Sequence, residues 1–119
     1  MADTSAGIGF QSGDGGTVTQ ATSKSTTVSL DKPVGRITMH NAALAANTTV
    51  GFSLNCSFIA ATDLLLLTVV DASVSSGNNY NVWASVGGGG AVIRLRNISA
   101  GSLSEAVQIN YAVIKGATA

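Results

Sequence analysis

Tyr80-Asn81-Val82-Trp83-Ala84-Ser85-Val86-Gly87-Gly88-Gly89-Gly90-Ala91-Val92-Ile93-Arg94-Leu95-Arg96-Asn97 reads as a β-hairpin. Side chains alternate along a strand, so Tyr80, Val82 and Ala84 share one face while Asn81, Trp83 and Ser85 share the other. In the return strand Ala91, Ile93 and Leu95 face inward and Arg94 and Arg96 face outward. Between them the glycine tetrad Gly87–Gly90 is a turn, because glycine reaches backbone conformations closed to other residues. The tetrad lacks the Lys and Ser/Thr that follow in a phosphate-binding loop, and so does Gly13-Asp14-Gly15-Gly16.

The same two-residue period recurs in both directions. Thr49–Leu54 sets Val50, Phe52 and Leu54 against Thr49, Gly51 and Ser53. Glu105–Ile114 aligns Val107, Ile109, Tyr111 and Val113 on one face. Thr17–Gln20, Thr26–Leu30 and Val34–Met39 are shorter strands, the last two separated by a turn at Asp31-Lys32-Pro33. His40–Asn47 is too short for a stable helix despite its alanines, and reads as a loop or a single helical turn. The run Leu64–Val70 is apolar apart from Thr68, and predicts a strand buried on both faces. About eight strands at this spacing, with no segment long enough for a crossover helix, predict an all-β single-domain β-sandwich of jelly-roll type. Residues 1–15, rich in Gly and Ser, read as an N-terminal arm, and 16–119 as the sandwich.

Composition narrows the function. Of the 119 residues, 10% are charged and the net charge is zero. Soluble domains average about 25% charged. Nothing in this balance draws the chain toward nucleic acid or anionic lipid. Low charge favours association, so much of the surface is expected to be covered by other subunits. The N-terminus lacks the basic and apolar regions of a signal peptide, and no apolar run reaches bilayer length. Synthesis in a cytoplasm, with no membrane partner, is the expectation. The sequons at Asn47, Asn55 and Asn97 carry little meaning in that setting.

Chemistry has little raw material. His40 is the one histidine and sits at a strand end; Cys56 is the one cysteine and reads as a small core residue. They cannot supply a zinc site. Asp3, Asp14, Asp31, Asp63, Asp71 and Glu105 fall in loops, turns or strand ends at no pairing distance. The expectation is a non-enzymatic protein with no catalytic residue, cofactor or metal. Arg94 and Arg96 are the sharpest polar feature. Two like charges on one strand face either point into solvent or seek a carboxylate on a neighbour. Trp83 reads equally as an interface anchor or a core residue. Gly13 and Gly15 belong to the arm, which can lie across a neighbouring subunit. Arg94, Arg96, Trp83, Gly13 and Gly15 are thus the candidate interface residues.

The text from Gly15-Gly16-Thr17-Val18-Thr19-Gln20-Ala21-Thr22-Ser23-Lys24-Ser25-Thr26 through Val34-Gly35-Arg36-Ile37-Thr38-Met39 and Ala42-Ala43-Leu44-Ala45 resembles a group of small structural proteins of tailed bacteriophages. So does the end, Asn97-Ile98-Ser99-Ala100-Gly101-Ser102-Leu103-Ser104-Glu105-Ala106 followed by Ile109-Asn110-Tyr111-Ala112-Val113-Ile114-Lys115. Such proteins are described as capsid cement or decoration proteins, and some as tail-fibre proteins. The resemblance implies a jelly-roll sandwich and brings no catalytic residue. It implies a subunit on the outer surface of the virion capsid that binds the major capsid protein and itself, as a homotrimer or homodimer. A tail-fibre or receptor-binding module is the alternative.

Overall fold

Alternating apolar and polar positions build strands that hide one face, and two such sheets hide those faces against each other. In the computed structural model, which describes residues 15–116, this gives two four-stranded sheets. The strands are β1 (Gly15–Thr19), β2 (Val28–Ser29), β3 (Val34–Thr38), β4 (Thr48–Asn55), β5 (Leu64–Val69), β6 (Tyr80–Gly87), β7 (Gly90–Asn97) and β8 (Gln108–Ile114). One sheet runs β1-β3-β8-β5 and the other β2-β4-β7-β6. The chain passes from one sheet to the other at nearly every connection, and the β6–β7 hairpin is the exception. Two short pairs, β1–β3 and β2–β4, are parallel; the remaining pairs are antiparallel. No helix among the described residues is long and apolar enough to cross a membrane.

The core lies between the sheets. Phe52, Leu54, Ile93 and Leu95 meet Ile37, Ile109, Tyr111 and Val113, all buried. Cys56 is buried among them, as its apolar setting predicts. The inward sets read from β4, β7 and β8 are therefore the ones that fill the core.

The hairpin tip shows which glycines matter. Gly89 has φ +88°, and its N–H donates to the Ile59 carbonyl at 2.8 Å. A Cβ on Gly90 would stand 2.4 Å from the Leu54 carbonyl oxygen, while Gly87 and Gly88 face open space. One residue thus supplies the turn and its neighbour a close backbone approach.

Three expectations are corrected. Leu64–Val70 is not buried on both faces: β5 is a sheet edge, and Leu64 and Leu66 are 61% and 53% exposed. Thr26–Leu30 shortens to β2, because the buried Gln20 amide donates to the carbonyls of Lys24 and Thr26 and curls that segment away from a ladder. Glu105–Ile114 begins as a strand at Gln108, since Glu105 is held by Tyr80 and Ser75 where the chain crosses between sheets. Asp71–Ser73 and Gly77–Asn79, within the loop expected between β5 and β6, each form a 3-10 turn. His40–Asn47 is a loop, pinned by an isolated bridge between Leu44 and Leu103.

Buried polar groups are paired. Lys24, nearly fully buried, donates from Nζ to the carbonyls of His40 and Glu105. Burial pushes its pKa below the ordinary lysine value, against the opposing pull of the Glu105 charge. Asp63 accepts from the Lys115 ammonium, the Gly116 N–H and the Ala60 N–H, closing the end of β8 onto the β4–β5 loop. Those bonds, the one from Lys115 foremost, hold its carboxyl at about 2 against an ordinary value of 3.8. A carboxylate with a depressed folded pKa stabilises above its unfolded value and loses that contribution as pH falls through the folded one. The melting temperature is therefore expected to drop between pH 4 and pH 2, and Asp63→Asn to flatten that part of the profile. Melts at successive pH values check this; an unaltered profile in Asp63→Asn removes the assignment.

Candidate functional site: the outer face of the β4–β7–β6 sheet

Strand register turns the outward residues of three strands into a grid. Arg96 on β7 lies between Thr49 on β4 and Asn81 on β6. The next row is Gly51, Arg94 and Trp83, and the third is Ser53, Val92 and Ser85. Trp83 is 37% exposed, which resolves its two readings: it stands on the outer face and not in the core. The Arg94 stem passes close over Gly51, where a Cβ would meet its Cγ at an ordinary contact distance of 3.5 Å.

The face is cationic and carries no carboxylate among the described residues. Arg94 makes one long contact, from a terminal guanidinium nitrogen to Ser85 Oγ at 3.5 Å. Arg96 is exposed and has no hydrogen bond or ion pair among the described residues. The described acids are engaged elsewhere. Asp31 accepts from the Ser57 N–H, Asp63 pairs with Lys115, Asp71 accepts from the Gly77 N–H, and Glu105 accepts from the Tyr80 hydroxyl. The Tyr80 hydroxyl bond is the main cause of Glu105's lowered pKa. Arg36, on the opposite sheet, donates to Asn110 Oδ1 at 2.9 Å. Arg94 and Arg96 thus share one face beside an indole, with no carboxylate partner among the described residues.

Of the remaining candidates, Gly15 opens β1 on the other sheet and is not joined to this face. Gly13 lies outside the described residues, as does the arm apart from Gly15. Sequence reasoning missed Thr49, Asn81 and Ser53 as neighbours of the arginines, because cross-strand register is non-local. The depression beside the β6–β7 hairpin is lined by Ser53, Asn55, Ser85, Val92 and the glycine tetrad, among others, with no titratable side chain. No group of three or more metal-ligating side chains occurs among the described residues. The Asn97 sequon is closed in this fold, since the Asn97 amide is wholly buried and its nitrogen donates to the Leu44 and Gly101 carbonyls.

What fold and site define is an all-β, two-sheet protein whose β4–β7–β6 outer face sets Arg94 and Arg96 beside a partly exposed Trp83. Comparison with protein-family models, curated proteins and solved structures gives no match.

Proposed function

We propose that this chain is a structural virion protein, a cement or decoration subunit on the outer surface of a tailed-phage capsid. It braces neighbouring major capsid protein subunits and associates with copies of itself. It is made in the host cytoplasm and performs no catalysis. The observation that carries this reading is the β4–β7–β6 outer face, where Arg94 and Arg96 have no carboxylate partner among the described residues and stand beside an exposed Trp83. Arg and Trp are the residue types that anchor protein interfaces, and an unpaired guanidinium pair fits an acidic patch on a partner. The resemblance to phage structural proteins supplies the identity of that partner. Within the sandwich class we read the architecture as related to the jelly roll, in its repeated passage between two four-stranded sheets. The parallel edge pairs β1–β3 and β2–β4 are this chain's departures from that plan.

The test is binding to phage heads stripped of the subunit. R94E/R96E is expected to weaken binding by about 30-fold or more, and W83A by about 10-fold, as for desolvated anchors at an interface. Added salt weakens the wild type and affects R94E/R96E less. Unchanged occupancy in R94E/R96E overturns the reading. Labelling at the tail tip instead of the head transfers the chain to the tail-fibre alternative.

A further inference from the structure

Among the described residues, one side of the sandwich is open. β5 and β6 are the edges of the two sheets and pack against each other along that side. Neither Leu64–Val69 nor Tyr80–Gly87 contains a charged residue or a proline. Natural sheets protect exposed edges with charge, proline, a bulge or brevity. On the opposite side the β2 edge follows the rule of brevity, with two residues.

The free backbone groups of β5 can be located. The Val70 N–H donates to the Gln108 carbonyl of β8, and the pairing alternates from there. Leu64, Leu66 and Thr68 therefore bond to β8, while Leu65, Leu67 and Val69 turn their N–H and C=O groups away from the sheet. No described residue pairs with them. Beside this ladder Leu64 and Leu66 join Ile114 in an exposed apolar strip.

We infer that β5 is a pairing edge for a second copy of this chain, with two β5 strands joined antiparallel about a twofold axis near Leu66. An isologous contact requires a self-complementary surface, and an uncharged apolar strand meets that requirement without like-charge repulsion. Side-chain contact selects the register. Centring on Leu67 would set the exposed Leu66 against Thr68 of the second copy. Centring on Leu66 sets Leu66 against its own counterpart and bonds Leu65 to Leu67 of the second copy. The β1-β3-β8-β5 sheets of both copies then form one continuous sheet, and the two β6 edges approach beside it.

The contact is small. At about 3.3 Å per residue, β5 and β6 run roughly 20–26 Å, and the sheets stand about 10 Å apart. That side is below the roughly 800 Å² per partner of a standard interface, so the dimer is reversible. The inference rests on the self-association part of the proposed function and not on capsid binding, so the two can fail separately.

Sedimentation velocity of the full chain at micromolar to submillimolar concentrations tests it. The wild type is expected to show a concentration-dependent monomer–dimer equilibrium. L66K places like charges opposite each other and raises the dimer dissociation constant by at least about tenfold, with unchanged circular dichroism, because Leu66 is exposed. An equimolar mixture of L66K and L66E regains the dimer. A wild type that stays monomeric or forms trimers overturns the inference, as does an L66K that dimerises normally. A monomer whose Leu65, Leu67 and Val69 amides resist hydrogen exchange also overturns it, since the edge would then be covered by this chain's own residues. Loss of capsid binding in R94E/R96E without loss of dimer separates the two interfaces.

Discussion

Ile93→Ala is expected to lower the unfolding free energy by about 3–4 kcal/mol, within the range for truncating a buried aliphatic side chain. Ile93 lies in β7, a central strand, with Phe52 and Ala84 as its cross-strand neighbours, and it is fully buried. Both sides of its side chain meet packed core, so the cavity has little room to collapse. With a urea slope of about 2 kcal/mol/M, the midpoint falls by roughly 1.5–2 M. Ile114→Ala, on the same kind of residue at 45% exposure, is expected to shift stability by less than about 0.5 kcal/mol. Circular dichroism is the proper probe, because Trp83 is already partly solvated in the folded state. Equal midpoints for the two variants would mean that the sandwich core is not where β7 places it.

Asn97→Ala is expected to cost about 2–4 kcal/mol, as for a buried group whose partners are left unpaired. The Asn97 side chain is fully buried and satisfied on both ends. Its amide nitrogen donates to the carbonyls of Leu44 at 2.9 Å and Gly101 at 2.8 Å. Its amide oxygen accepts from the N–H and the hydroxyl of Ser99 at 2.9 and 2.7 Å. The side chain thus ties the end of β7 to two loops, including the strand-like bridge between Leu44 and Leu103. Asn97→Asp costs at least as much, because it replaces the twice-donating NH2 by one oxygen that faces two carbonyl oxygens. The amides of Leu44 and Leu103, which bond reciprocally, should lose exchange protection beyond the change in global stability. Retained protection in Asn97→Ala would remove the latch role.

The exposed β5 edge and the arginine face carry opposite physics on one small domain. Apolar pairing along β5 strengthens with kosmotropic salt, whereas contacts through Arg94 and Arg96 weaken with ionic strength.

Much of the site was legible beforehand for a local reason. Arg94 and Arg96 are two residues apart in an alternating strand, so they share a face in any strand conformation, and Ile93 and Leu95 mark that face as the outer one. Trp83 was not decidable in the same way. Alternation groups it with Asn81 and Ser85, yet a lone indole there can be core or surface, and the pairing of Trp83 with Arg94 across β6 and β7 sets it on the outer face. Lys24 was also illegible: a lysine in a Ser/Thr-rich stretch reads as solvated, yet its ammonium is drawn inward by carbonyls of His40 and Glu105, remote in sequence.

Alternation along β4, β6, β7 and β8, with glycines between the middle pair, by itself determined a sandwich-forming chain and the residues that line its core. Tertiary structure decided the rest: the order of strands, the parallel edges, and above all the fate of Leu64–Val69. An uninterrupted apolar run has no period from which to read a face. Whether it is covered depends on which strand lies beside it, and at β5 one side of the ladder is empty among the described residues.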